Sequence, residues 1–411
     1  MNKIQAVVFV GMNPWHRQEI NDTVRFLAAA CRGRADRLYL EPPRGFREAA
    51  GDPAYLAGAT RWQREVCDGI EIYAPPLGFA PVFLGLRKLA DSHAAAKLDR
   101  LLRERYGPSW RERVLVYISS WSYTQTGLVQ KLRPRHLLFH ILDDSFAFPL
   151  IRDHPRVLAG NKSFYRYMMD RSSVVIAVSR ELARKYAALY GRPVHVVRNG
   201  VDVEHFRPRE PGRLPAPAQS PGAAPVPPPE MAGIPRPVLM YTGSINSWVD
   251  LPLLLRLAGA RPGCSLVLIG HCYEGTVDAG LWRELLDRPN VHWLRSRPYG
   301  LLPGYLHCAS ALLLPRTGAE HSRASDPLKL YEYLSTGKPV VSTALPAVED
   351  FRAFVYVPES REGFAAATDA ALKDHGPDRA ARQAAMMEKH SWTARVNDIA
   401  EILAAHCGLT M

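Results

Sequence analysis

Residues Asp326 to Ser342 read DPLKLYEYLSTGKPVVS, and this stretch constrains the fold more than any other. Leu328, Leu330, Tyr331 and Leu334 recur at helical spacing, Asp326 can cap a helix start, and Pro327 suits a first turn. Gly337 ends the helix, Lys338-Pro339 turns the chain, and Val340-Val341 forms a short buried strand. A helix that passes through a tight turn straight into a buried strand is a building unit of an open, mostly parallel sheet covered by helices. Lys329 and Glu332 stand one helical step apart on the less apolar face, near an N-terminus whose N–H groups and dipole favour an anion. The pair suits a phosphate and a sugar hydroxyl. It also suits a surface ion pair on an ordinary amphipathic helix.

The same alternation runs through the rest of the chain, twice over. In the first half, strands fit Gln5 to Val10, Arg37 to Leu40, Ile70 to Tyr73, Val114 to Ser119, Leu137 to Leu142, Val174 to Val178 and Val194 to Val197. Helices fit Arg17 to Cys31, Asn161 to Arg171 and Arg180 to Tyr190. From Arg207 to Arg236 proline, alanine and glycine dominate, a composition that builds no core and favours extended chain. A second series starts at Pro237, with strands at Val238 to Tyr241, Ser265 to Ile269, Val291 to Leu294, Ala311 to Leu314, Val340 to Ser342 and Phe354 to Val357. Between them helices fit Leu251 to Ala260, Gly280 to Asp287, Pro303 to Cys308, Pro327 to Ser335 and Arg361 to Asp374. The expected architecture is α/β, two Rossmann-like parallel-sheet domains facing across a cleft. Its divisions are an N-terminal domain over 1–206, a Pro-rich linker over 207–236, a C-terminal domain over 237–388, and a final helix in 389–411 crossing back to the first domain.

A length of 411 residues exceeds the size at which one core stops growing, and a 47% hydrophobic content supplies two. The formal charge of +12 points to an anionic partner: nucleic acid, a phosphorylated ligand or an acidic membrane surface. The six cysteines have no CxxC pair and no metal-ligand spacing, which fits reduced thiols in a cytoplasmic protein. The apolar run near the N-terminus reads as a first strand, and no stretch approaches the ~18 apolar residues that span a bilayer. A cytoplasmic protein, peripheral at most on the inner membrane face, is expected. Between Phe79 and Arg113 the apolar run Pro81 to Leu86 precedes a helix carrying Arg87, Lys88, Lys97, Arg100, Arg103, Arg105, Arg111 and Arg113. That pattern suits contact with an anionic membrane surface, and equally a solvated helix face.

YTGSINSWVDLPLL, LVLIG, NVHWLRSRPYGLLPGYL, ALLLPR and DPLKLYEYLSTGKPVVS, in that order, resemble the donor-binding domain of GT-B nucleotide-sugar glycosyltransferases. GMNPW, LYLEPP, HILDDSFAF, IAVSREL and VVRNGVDVEHF extend the resemblance to the first half. Together they are most similar to bacterial polysaccharide-assembly enzymes related to teichuronic-acid and xanthan glucuronosyltransferases. The resemblance implies a UDP-, GDP- or dTDP-sugar as donor substrate, no cofactor, and a lipid-linked or polysaccharide acceptor. By it, Glu332 meets the ribose, Lys329 a phosphate, Gly243-Ser244 let backbone N–H groups approach the diphosphate, and the loop of Arg297 and Tyr299 meets the base. Tyr299 also fits simple packing at a helix start.

Two departures pare this site down. Many retaining members carry a pair of glutamates here, and Ala324 holds the place of the first. The cations such enzymes place after the glycine loop are replaced by Ser244-Ile245-Asn246-Ser247, so charge on the diphosphate falls to Lys329, the helix N-terminus and Arg316 or Arg323. In the first half Asp143 and Asp144 end a strand, and either could serve as catalytic base for an acceptor hydroxyl. Either could instead cap the next segment or pair with a cation. The loop of Asn13, Trp15, His16 and Arg17 lies at the same sheet edge as an acceptor-side candidate. Adjacent aspartates are not a spaced chelating pair, so no metal is expected. Two other readings are a nucleotide-sugar 2-epimerase on the same fold and a non-catalytic basic polyanion binder. Nucleic acid is not expected as a partner, since no nucleic-acid motif appears and the positive charge is spread.

Overall fold

The computed structural model describes residues 2–16, 22–42, 61–76, 87–207, 227–374 and 376–411. They form two compact units, one gathering the residues before Asn199 together with Arg395–Met411, the other Asn199–Ala394. Arg17, the apolar run Pro81 to Leu86 and most of the Pro-rich run lie outside the described residues.

In the first unit a short strand β1 (Asn2–Lys3) precedes β2 (Ala6–Val10), β3 (Asp36–Leu40), β4 (Gln63–Cys67), β5 (Ile70–Ala74), β6 (Val114–Ser119), β7 (His136–Ile141), β8 (Val174–Ala177) and β9 (His195–Val196). The sheet order is β4-β5-β3-β2-β6-β7-β8-β9, parallel throughout except for the antiparallel edge pair β4 and β5. β2, β6 and β7 are buried at every position, as near-continuous apolar strands covered on both faces must be. The edge strand β4 reads QREVC, mostly exposed and without an apolar run, so periodicity gave it no signature.

In the second unit β10 (Val238–Thr242), β11 (Ser265–Ile269), β12 (Val291–Trp293), β13 (Ala311–Leu314), β14 (Val340–Ser342) and β15 (Val355–Tyr356) form a wholly parallel sheet. Its order, β12-β11-β10-β13-β14-β15, reverses direction beside β10, so β10 and β13 flank the topological switch point, where open sheets of this kind place ligands. Apolar clusters cover both faces, one around Met240, Leu312 and Leu334, the other around Leu239, Leu257 and Leu313. β16 (Leu409–Thr410) pairs in parallel with β1, Asn2 opposite Leu409 and Lys3 opposite Thr410, within the first unit.

The division between units falls after Arg198, eight residues before the boundary expected at 206. Val201, Val203 and Phe206 are buried in the second unit's core, which assigns them there. The expected linker 207–236 is also shorter than composition implied. Its last residues are structured: Met231 is buried in that same core, Ile234 packs against it, and Glu230 holds Arg297 and Tyr305. A further helix, Pro377–Met387, lies between the expected helix Arg361 to Asp374 and the final one, where no element was expected.

The helix Arg87–Tyr106 spends its apolar positions Ala95, Leu98, Leu102 and Tyr106 on the core of the first unit. Several of the cations expected on a membrane face are likewise committed. Arg103 and Arg111 pair with Asp99, Arg105 with Glu71 and Asp36, and Arg113 donates to the Tyr106 carbonyl. Lys97 and Arg100 remain exposed. Among the described residues no helix is long and apolar enough to cross a membrane.

Candidate functional site

At the carboxyl end of β10 the chain turns at Gly243, whose φ of 131° disfavours any residue bearing a Cβ. Space makes the same demand. A Cβ there would sit 1.7 Å from Cε and 2.6 Å from Nζ of Lys329, so the lysine lies across the bare glycine backbone. Gly270, after β11, is equally confined: its Cβ would meet the Gly243 carbonyl oxygen at 1.9 Å. Two glycines and one lysine thus pack at the switch point, with the Gly243 N–H donated to the Ile269 carbonyl and the Gly270 N–H to the Arg295 carbonyl, so the free donor the turn offers a ligand is the lysine.

Lys329 belongs to the helix Leu328–Ser335, where Leu330, Tyr331, Glu332, Tyr333, Leu334 and Ser335 are all buried. Glu332 is therefore not a surface charge, while Lys329 is half-buried. Glu332 is 3% exposed. Burial pushes the Lys329 ammonium below its usual range, the nearby Arg316 pushes the same way, and Glu332 opposes both. A cation held below its usual range is poised to gain from a bound phosphate. Tyr333 fastens the helix to β10, its hydroxyl accepting the Thr242 N–H at 2.7 Å.

Asp326 does not cap this helix. The position before Leu328 is Pro327, which has no capping side chain. The Asp326 carboxylate instead accepts the Asn199 N–H at 2.7 Å and the Tyr331 hydroxyl at 2.8 Å, two partners the sequence could not place beside it. The helix start is therefore fixed by a tertiary contact, with its own first N–H groups left without a side-chain cap.

Arg316 follows β13 and joins the cluster electrostatically. Its guanidinium stacks on Trp248 at 5.3 Å and donates to Ser325 at 3.0 Å. Trp248, on the loop after Gly243-Ser244, was not singled out by the sequence. Ala324 is buried at the end of the short helix Glu320–Ala324, and Arg323 is exposed. Arg297 and Tyr299 have structural partners. Arg297 bonds Tyr305 at 2.9 Å and Glu230 at 3.1 Å, while Tyr299 stacks on His205 with ring centroids 4.9 Å apart. So the structure brings Gly243, Lys329, Glu332 and Arg316 together, and it ties Arg297 and Tyr299 to the segments around Glu230 and His205.

In the first unit the carboxyl ends of β2, β6 and β7 are stitched by the turn Ser120–Gln125. Ser122 donates to the Val10 carbonyl at 3.3 Å, Gln125 to the Gly11 carbonyl at 2.7 Å, and Ser120 accepts the Leu142 N–H at 3.0 Å. The two aspartates that follow β7 part ways. Asp144 is fully buried, bonded by Lys185 at 2.6 Å and by the Tyr186 hydroxyl at 3.2 Å. Asp143 is half-buried and accepts the Trp121 indole N–H at 2.9 Å.

The acceptor-side candidates are largely scaffold. Trp15 is buried edge-on against Tyr39, and its N–H goes to Glu41 at 2.7 Å. Asn13 donates to Asp22 at 3.1 Å, and the exposed His16 lies 2.9 Å from Glu65. Glu41, Asp22 and Tyr39, which set this loop, lacked any motif to mark them.

Two family models match the chain: Glycosyltransferase Family 4 over residues 49–205 and Glycosyl transferases group 1 over residues 236–374. Each half of the chain thus matches a glycosyltransferase family domain, and the fold is that of the GT-B class. Its sequence is 31% identical over 205 residues to TuaH of Bacillus subtilis (strain 168), named as a teichuronic acid biosynthesis glycosyltransferase. That match spans 48% of this chain and 47% of the relative, so it covers about half the length of the curated protein. Among solved structures, HepE of Anabaena, crystallised with UDP and glucose, aligns over 98% of this chain and 100% of its own, at a TM-score of 0.63 and 16% identity. Sucrose-phosphate synthase of Thermosynechococcus elongatus aligns over 98% of both chains, at a TM-score of 0.64 and 14% identity. At these identities the likeness establishes the fold.

Proposed function

We propose that the chain transfers a sugar from a nucleotide-diphosphate-sugar donor to a lipid-linked or polysaccharide acceptor in cell-surface polysaccharide biosynthesis. The observation that carries this reading is the Lys329 side chain lying over the Gly243 backbone, with the buried Glu332 one helical step away. Lys329 and the uncapped start of its helix take the diphosphate, Arg316 adds charge to the departing phosphate, and Glu332 accepts the ribose hydroxyls. A uridine donor is the first to test, because HepE was solved with UDP-glucose and TuaH is named for a polysaccharide pathway. With two cations facing the leaving group, turnover should survive chelation by EDTA.

Of the two aspartates we assign the acceptor proton to Asp143. Asp144 has both oxygens engaged by Lys185 and Tyr186 in full burial, and its role is to tie the turn after β7 to the helix Arg180–Tyr190.

Calorimetry with UDP, GDP and dTDP sugars tests the donor half. Glu332→Ala should weaken binding of the preferred donor by about 1.5–3 kcal/mol, the range of a hydrogen bond to a charged group. Unchanged affinity removes Glu332 from the site. Transfer from labelled UDP-glucose and UDP-glucuronate to bacterial membrane lipid extract tests the rest. Asp143→Asn should lower turnover by roughly 10²–10⁴-fold with donor affinity intact, the span of general-base catalysis. The product anomer is a separate check. Inversion is what a protein base opposite the leaving group produces, and retention would hand the proton to the diphosphate instead.

A further inference from the structure

We propose that Trp121 is the positioning residue for Asp143, holding its carboxylate in one orientation through the indole N–H. The inference rests on the reading of Asp143 as the proton acceptor. Trp121 lies in no motif that marks it.

The geometry begins with how Trp121 itself is held. It lies in the Ser120–Gln125 turn, whose residues on both sides are bonded to neighbouring strand ends: Ser120 to Leu142, Ser122 to Val10, Gln125 to Gly11. Ser119 and Ser122 are also linked, at 3.2 Å. The indole packs edge-on against Phe148, with centroids 5.2 Å apart and an interplanar angle of 78°. The backbone and the ring of Trp121 are thus both anchored. Its Nε1–H reaches Oδ2 of Asp143 at 2.9 Å.

A carboxylate at a strand end rotates readily about its last bond, and a base is effective only when a lone pair points at the proton it receives. One donor on Oδ2, itself rigidly mounted, stops that rotation. Indole nitrogen donates and never accepts, so the contact selects the ionised carboxylate that a base must present. Removal of the N–H takes this donor from the ionised carboxylate and so makes it easier to protonate.

The experiment uses the full-length protein with its tryptophans labelled with ¹⁵N at the indole nitrogen, giving eight signals. One of them should move as the pH is taken from 8 to 4. It should vanish in Trp121→Phe, and it should lose its pH dependence in Asp143→Asn. Should Trp121→Phe fail to fold, the signal most displaced by Asp143→Asn is the one that must titrate in the wild type. An indole spectrum in which no signal couples pH to Asp143→Asn overturns the proposal.

Kinetics with labelled UDP-glucose and membrane lipid extract supply the second readout. Trp121→Phe, which keeps an aromatic ring beside Phe148, should lower kcat roughly ten- to a hundredfold, leave the donor KM unchanged, and move the acid limb of the pH profile upward. On the Asp143→Asn background the same change should add nothing. A Trp121→Phe enzyme with wild-type kcat and pH profile overturns the positioning role. Full turnover in Asp143→Asn overturns the assignment of the base, and the indole spectrum then still reports whether the two side chains are joined.

Discussion

Asn199 and Asp326, 127 residues apart in sequence, are locked to each other from both ends. The Asp326 carboxylate accepts the Asn199 N–H at 2.7 Å, and the Asn199 side-chain amide donates to the Asp326 carbonyl at 2.6 Å. Asn199 is where the chain enters the second unit, and Asp326 sits just ahead of the helix that carries Lys329 and Glu332. The entry of the chain and the start of the helix Leu328–Ser335 are therefore one structural element. Neighbouring contacts widen it. Tyr331 bonds the same carboxylate and packs 5.6 Å from His390, and the Val201 N–H goes to the His390 carbonyl.

Asp326→Ala would leave the buried Asn199 N–H and the Tyr331 hydroxyl without this acceptor. Burying polar groups unsatisfied costs about 1–3 kcal/mol each, so a loss of roughly 2–6 kcal/mol is expected for the two. Asp326→Asn keeps an oxygen in place and should cost less than half of that. Urea unfolding of the two variants checks both the loss and its order, and an Asp326→Ala protein as stable as wild type would show that the contact is idle.

Much of the architecture was legible because buried parallel strands carry a strong signal. VLVYIS, SLVLI and ALLL are continuous apolar runs bounded by turn residues, and each forms a strand where expected. The helix Leu328–Ser335 and its Gly337 stop were equally plain, with Gly337 at φ 71°. What escaped was set by tertiary contact. Asp326 before a helix with proline next reads as a cap, and only the folded chain brings Asn199 and Tyr331 to it. The Pro-rich run reads as linker because nothing in PPPEM announces that Met231 will be buried and Glu230 bound by Tyr305. Asp143 and Asp144 are adjacent and chemically identical, so the sequence left them equivalent. Lys185 and Trp121, distant in the chain, separate them.

Gly243→Ala tests the donor site without touching its charges. The added methyl would fall 1.7 Å from Cε of Lys329, at a φ of 131°, so both the backbone and the lysine must shift. The cost in stability is of the order of 1–3 kcal/mol for a strained backbone position. The loss of donor affinity should exceed it, because the shift displaces the lysine on which the proposed diphosphate contact rests. Calorimetry with UDP-glucose beside a urea melt separates the two quantities. Donor affinity that stays at the wild-type value, with stability reduced, would place the anion site away from Gly243.

His140 makes a prediction about acid. It lies fully buried on β7, with Nδ1 2.6 Å from the Tyr117 hydroxyl and no hydrogen-bond partner on Nε2. Burial holds its pKa down at about 3, against 6.5 for an exposed imidazole. The native state keeps the ring neutral while the unfolded chain takes up a proton below pH 6.5, so the unfolded state binds more protons and stability falls as pH falls. The loss runs from pH 6.5 down to about 3, at about 1.4 kcal/mol per pH unit while only the unfolded form is charged. His140→Phe removes that titration. It should be less stable than wild type at pH 7.5, where the Tyr117 hydroxyl loses its partner. Between pH 6.5 and 4.5 it should then lose about 2–3 kcal/mol less than wild type, two pH units of the single-proton slope. Urea midpoints across that range measure the difference, and parallel curves for the two proteins would mean that the ring is protonated inside the fold.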